Sequence, residues 1–173
     1  MKRFGLMIVA MLLSIASFAQ QYDMDFTQNR VVKASGKTTG MAGHLTFDGA
    51  DHLTMDYTDP EGDYFYIEGN KVKINILGKK AELNADKVKM VKLQRSTLLN
   101  CLTGNWEQAA IDNNAETTVT EQDGLRNIVI TAKGKVPRGG YSSVEVTYRM
   151  SDGVVTRMVL EEGVGIVNTY EMK

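Results

Sequence analysis

The chain has a single cysteine, Cys101, among its 173 residues. An intramolecular disulfide is therefore impossible, and the fold must be held by its apolar core. No histidine stands near Cys101 in sequence, so a cysteine nucleophile has no support, and the residue reads as a small buried hydrophobe. Proline and histidine are nearly as scarce, with two of each. Charge of one sign is also missing: 20 Lys and Arg stand against 21 Asp and Glu. A nucleic-acid binder wants a clustered basic face, so this balance speaks against such a partner. No apolar run reaches the roughly 20 residues that a helix needs to cross a bilayer.

What is there begins with a leader. Lys2 and Arg3 form a short positive segment, residues 4–16 are apolar, and Ser17-Phe18-Ala19 offers the small residues that a signal peptidase reads. The pattern predicts a signal peptide over residues 1–19, cleaved after Ala19, and export to the periplasm. No cysteine follows the apolar segment directly, so no lipid anchor is expected there. Lys2 and Arg3 leave with the leader, so 18 basic residues remain against all 21 acidic ones. Residues 20–173 carry no internal repeat, low-complexity tract or linker, and are of a length for one domain.

Turn signals punctuate that domain. Asp59-Pro60-Glu61-Gly62 presets a turn, Gly69-Asn70 suits a two-residue hairpin, and Asp123-Gly124, Gly139-Gly140 and Asp152-Gly153 repeat the device. Between them the residues alternate with period two. Leu45 and Phe47 share a side, as do Leu53, Met55 and Tyr57. Phe65 and Ile67 alternate with Tyr64 and Tyr66; Val72, Ile74 and Ile76 alternate with Lys71, Lys73 and Asn75. Further strands are expected at 128–130, 144–148, 154–160 and 164–170. Strands joined by tight turns are antiparallel, because a parallel neighbour needs a long crossover. The fold class is therefore mainly β, a meander whose right-handed twist makes it curl.

Residues 86–103 break this pattern. Val88, Val91, Leu98, Leu99 and Leu102 fall near helical spacing, and Gly104 stands where a helix ends on a left-handed residue. Arg95 interrupts the apolar stripe, which leaves open a later start with Ser96 as N-cap. The polar stretch 108–117 reads as a loop.

Chemistry-bearing motifs are absent. Ser35-Gly36-Lys37-Thr38 contains Gly-Lys-Thr, but a phosphate-binding loop needs a glycine where Val31 stands. His44 and His52 have Asp48 and Asp51 as possible companions in a metal site, yet no convincing third ligand, and are expected exposed on the sheet. Glu161-Glu162 precedes a glycine turn and is expected to face solvent. No catalytic residue, metal or cofactor is expected. The unusual feature is an apolar surplus, as in Tyr64-Phe65-Tyr66-Ile67 and Met158-Val159-Leu160. It fits a sheet covered on both faces, or a curved sheet whose concave face is kept for an apolar guest.

The runs DFTQNR (25–30), GHLTF (43–47) and HLTMDYTDPEGDYFYIEGNKVKI (52–74), with GVGIVNTY (163–170), resemble the periplasmic outer-membrane lipoprotein carrier family, LolA-like, in the divergent form common in Bacteroidetes-type genomes. The resemblance covers most of residues 20–173. It implies an unclosed antiparallel half-barrel with one or two helices across its concave face, and a non-enzymatic carrier that shields the acyl chains of lipoproteins or another envelope lipid. Its implied partners are an inner-membrane transporter and an outer-membrane acceptor, with the carrier a monomer. Family members place an Arg-Pro latch after the first long strand; here Asp48-Gly49-Ala50 stands there. With strand parity, this assigns Phe26, Leu45, Phe47, Leu53, Met55 and Tyr57 to an apolar cavity. Phe65, Ile67, Ile74, Ile76, Leu99, Leu102 and Trp106 complete the set, Trp106 being equally readable as a core anchor. The alternative is an envelope protein-interaction or sensor module on the same half-barrel.

Overall fold

The structure is a computed structural model that describes residues 20–173; the expected signal peptide lies outside the described residues. Strands β1 (Tyr22–Val32), β2 (Lys37–Phe47), β3 (His52–Asp59), β4 (Glu61–Glu68), β5 (Lys71–Ile76) and β6 (Lys79–Asn84) run as one meander. Helices α1 (Lys89–Leu102) and α2 (Trp106–Asp112) follow, and then β7 (Ala115–Gln122), β8 (Leu125–Ala132), β9 (Tyr141–Arg149), β10 (Val155–Glu162) and β11 (Ile166–Met172). Pairing of β1 with β11 joins the two runs into one antiparallel sheet ordered β6-β5-β4-β3-β2-β1-β11-β10-β9-β8-β7. Among the described residues, β6 and β7 are its two unpaired edges. The barrel is therefore open, and the helices are the segment of chain that spans its gap.

The turn chemistry works as the residues dictate. Asp123 and Gly124 both take positive φ, 51° and 77°, which is the twist that a two-residue hairpin between β7 and β8 requires. Alternation holds too: Leu45, Phe47, Leu53, Met55, Tyr57, Ile67 and Val72 all point into the core. Gly43 sits at a bulge between β2 and β3, directly over Phe26 and the β3 backbone. A β-carbon there would overlap the Asp56 carbonyl oxygen, so only glycine lets β3 come this close.

Four elements bear on the sequence reading, α1 departing only from the alternative start. α1 starts at Lys89, well before Ser96. Arg95 does not end it, because its Nε–H donates to the Gly69 carbonyl at 2.6 Å and so finds a polar partner at the β4–β5 turn. Ser96 caps nothing; its hydroxyl donates to Asp112 Oδ2 of α2 at 2.8 Å. The stretch read as a loop from residue 108 opens inside α2 and continues into β7. α2 escapes notice because its buried residues are only Ala109 and Ala110. The strands β6 and β7 are edge strands whose residues are mostly exposed on both faces, so neither shows the alternation of a half-buried strand.

The core is asymmetric. On the β7–β10 side Ile128, Ile130, Val144, Val146 and Val155 are fully enclosed, with Ala109 of α2 at the same depth. Beneath α1 the concave face, from β1–β6 across to β9–β11, is not filled.

Candidate ligand cavity

Between α1 and the concave face of the sheet lies a cavity of about 550 Å³ that opens to solvent, lined by residues of β1–β6 and of β9–β11. A pocket of this volume falls within the range of small-molecule sites, on the order of 300–1,000 Å³. Its walls are mostly apolar. Leu45 of β2, Leu53, Met55 and Tyr57 of β3, and Phe65 of β4 form one side. Ile74 and Ile76 of β5 continue it, and Leu102 of α1 lies across.

Those eight come from the thirteen positions assigned by parity. The other five are placed elsewhere. Phe26, Phe47 and Ile67 are enclosed in the packed core, where Phe26 meets the Tyr57 ring edge-on at 5.2 Å and Phe47 packs beside Tyr22. Leu99 borders a shallow groove behind α1, and Trp106 is half-buried against the core at the start of α2. Parity names the face of a strand but not the distance along it at which the helix stops touching it.

The sequence reading missed the polar members. Gln28 and Asn168, respectively 4% and 6% exposed, line the cavity and are paired: Gln28 Nε2 donates to Asn168 Oδ1 at 3.0 Å. The Tyr57 hydroxyl donates to Gln28 Oε1 at 2.5 Å, and Arg30 Nη1 reaches Asn168 Oδ1 at 3.2 Å. Burial raises the Tyr57 hydroxyl far above its ordinary value, and pushes the nearby Tyr170 hydroxyl up to about 12, so both remain protonated donors. Their signal was the inward parity of β1 and β11: Phe26, Gln28 and Arg30 step along one face, as do Asn168, Tyr170 and Met172.

Arg30, Lys37, Lys79 and Glu162 line the same cavity where β1 and β10 end and where β2 and β6 begin. Glu162 is half-buried rather than solvent-facing as expected; desolvation holds its carboxyl above the usual range while Arg30 pulls the other way.

At the far end, α1 is fastened by tyrosines. Tyr22 donates its hydroxyl to the Leu102 carbonyl at 3.0 Å, and Tyr148 donates to the Cys101 carbonyl at 2.7 Å. Both bonds satisfy last-turn carbonyls that a helix leaves orphaned. Cys101 itself is enclosed, and burial pushes its thiol up to about 12, which leaves it neutral and unreactive.

The histidines stand outside this cavity. His44 sits on the outer face between Asp23 and Asp25, at 2.7 and 2.8 Å, and these raise its pKa, Asp25 first. Asp48, Asp51 and His52 converge at the β2–β3 turn. There Asp48 Oδ1 accepts from the amides of Ala50 and His52 at 2.8 and 3.1 Å, which closes the turn. Asp51 also lies 4.0 Å from Arg95 of α1.

No protein-family model matches the chain, and neither does any curated protein. Among solved structures it is similar to the LolA superfamily protein of Nitrosomonas europaea, at 9% identity over 90% of this chain and 84% of that one, TM-score 0.39. It is also similar to the Mycobacterium tuberculosis lipoprotein LppX, at 11% identity over 91% and 87%, TM-score 0.36. A third likeness is to the MucA/MucB complex of Pseudomonas aeruginosa, at 12% identity over 90% of this chain and 52% of the matched one, TM-score 0.44. The chain thus spans about half the length of that last relative. At such identities and scores these likenesses carry no argument about function. From its own strand order, the chain has an unclosed antiparallel half-barrel with helices across the concave face, the architecture that the lipoprotein-carrier resemblance implies.

Proposed function

We propose that this protein is a non-enzymatic periplasmic carrier that shields the acyl chain of a lipoprotein or another envelope lipid on its way toward the outer membrane. The observation that carries the reading is the open, apolar-walled cavity of about 550 Å³ beneath α1. Each methylene in water costs about 0.8 kcal/mol, so a sixteen-carbon tail exposed during transfer faces a penalty on the order of 10 kcal/mol. A carrier must offset much of that and still release its cargo to an acceptor that binds more tightly. On this reading residues 1–19 are the export signal and residues 20–173 the working domain. It works as a monomer between an inner-membrane transporter and an outer-membrane acceptor, with no nucleic-acid partner. Eight side chains would contact the tail: Leu45, Leu53, Met55, Tyr57, Phe65, Ile74, Ile76 and Leu102.

One observation favours a second reading, an envelope protein-interaction or sensor module. The edges of β6 and β7 are exposed and unpaired, which suits capture of an extended peptide as a further strand. Native mass spectrometry after gentle extraction from the host envelope separates the two. Lipid leaving with the protein, and lost when Ile74→Trp blocks the cavity, supports the carrier. A lipid-free protein in a defined complex with another polypeptide overturns it in favour of the module.

A further inference from the structure

The charges around the cavity are not those of the protein as a whole. The chain is close to neutral, with a net charge of −1. Yet among the described residues the ionisable side chains lining the cavity, apart from tyrosines, are Arg30, Lys37, Lys79, Arg95 and Glu162, four basic against one acidic. Arg95 is already committed, to the Gly69 carbonyl and to Asp51. Lys37 and Lys79 are not, and Arg30 bonds only the neutral Asn168 amide: among the described residues none of the three has a carboxylate within 4.0 Å. The β1–β2 register sets Lys37 opposite Val32, two residues beyond Arg30, and the β5–β6 register sets Lys79 opposite Ile76. All three therefore occupy one end of the hollow, its mouth, with apolar walls beneath them.

Volume bears on the guest as well. About 550 Å³ lies in the range of sites that hold one small molecule, on the order of 300–1,000 Å³, which is the scale of a single acyl chain.

Resting on the reading that the cavity holds acyl cargo, we infer that it takes a single-chain amphiphile whose anionic headgroup, carboxylate or phosphate monoester, sits at the mouth against Arg30, Lys37 and Lys79. The geometry suits this division. Gln28, Asn168 and Arg30 form a polar strip on β1 and β11 that leads into the mouth, where a headgroup finds further donors. Glu162 is the one opposing charge, and its burial makes it reluctant to ionise beside the guest.

The test holds the tail constant and varies the head. Calorimetric titration of the protein with laurate, dodecyl phosphate, dodecanol and dodecyltrimethylammonium compares four headgroups on one chain. The two anions bind at least about tenfold more tightly than dodecanol, the scale of one charge-assisted hydrogen bond, and the cation binds most weakly. Comparing laurate with dodecyl phosphate tells a carboxylate site from a phosphate one. Lys37→Gln with Lys79→Gln, both exposed positions, shrinks the preference for the anions over dodecanol, and adding Arg30→Gln abolishes it. Glu162→Gln enlarges it. Native mass spectra with palmitate show one chain per protein. Equal affinities for all four heads, a preference for the cation, or two palmitates bound overturn this inference while leaving the carrier reading intact. No binding of any of the four overturns both.

Discussion

Removing one hydroxyl from the cavity tests whether its polar strip is a closed hydrogen-bonded set. Tyr57→Phe deletes the donor to Gln28 Oε1 and leaves the surrounding shape unchanged. Gln28 is 4% exposed, and its Nε2 is committed to Asn168, so the orphaned oxygen has little access to water. Leaving such an acceptor unpaired costs about 1–3 kcal/mol. Gln28→Leu errs in the opposite direction. The Tyr57 hydroxyl then has no acceptor there, and Asn168 Oδ1 keeps only Arg30 at 3.2 Å. A similar cost is expected. In the double variant donor and acceptor leave together, and replacing both by apolar groups of like shape is nearly neutral. The double variant should therefore be less destabilised than the sum of the singles, by a coupling energy of about 1 kcal/mol or more. Urea unfolding followed by circular dichroism and by Trp106 fluorescence measures all four proteins; about 1 kcal/mol moves the melting temperature of a chain this size by roughly 2–4 °C. Single costs that add to within about 0.5 kcal/mol would refute the closed set.

Gly43→Ala forces a β-carbon against the Asp56 carbonyl and to 2.9 Å from the Phe26 ring, and should cost about 1–3 kcal/mol; an unchanged urea midpoint would contradict the close approach of β3. Leu77 holds a left-handed φ of 52° at the lip of the cavity, where a branched residue pays about 1–2 kcal/mol. Leu77→Asn should therefore raise thermal stability while weakening laurate binding, and a lower melting temperature would count against the strain. Glu162 has a folded pKa raised above its ordinary 4.5, so the fold disfavours its charge. That penalty is absent below the unfolded value, grows as pH rises through it, and is complete above the folded one. Glu162→Gln should be more stable than the parent near neutrality and match it below pH 4.5; parallel stability curves across that window would disprove the burial effect.

The half-barrel was legible because its hairpins advertise themselves. Asp123-Gly124 and Gly69-Asn70 are turn pairs with a mechanism, and the alternation at 45–57 and 65–76 needs one buried face. The β5–β6 hairpin was not legible, because its turn is Leu77-Gly78 and nothing in a leucine signals left-handed backbone. β6 was lost with it, and β7 for a related reason, since an edge strand exposed on both faces has no period to show. The cavity was legible as a face and not as a volume. Leu53 and Ile67 lie opposite each other on adjacent strands, yet only Leu53 meets the hollow. Its polar strip went unread because single Gln, Arg and Asn residues on inward parity look like interruptions of an apolar pattern.

Why the hollow survives at all is a matter of what holds α1 up. Apolar walls around empty space lose contacts, and side chains or backbone would close over them if they could. Over β7 and β8 they have done so: α2 lies on both strands, and Ala109 and Ala110 are small enough to let it settle into contact. α1 has no such freedom. Its C-terminal carbonyls are bonded to Tyr22 of β1 and Tyr148 of β9. Nearer its N-terminus, Arg95 and Gln94 donate to the Gly69 and Gly139 carbonyls, on opposite sides of the gap, each at 2.6 Å. Four polar contacts to four separate places on the rim hold the helix as a bridge, and Ser96 and Asn113 tie it to α2. Descent into the hollow would break several of these at once and leave buried carbonyls unpaired, at about 1–3 kcal/mol each. An apolar guest would supply the missing contacts without asking any of them to yield, and this is the physical support for proposing the space as a binding site.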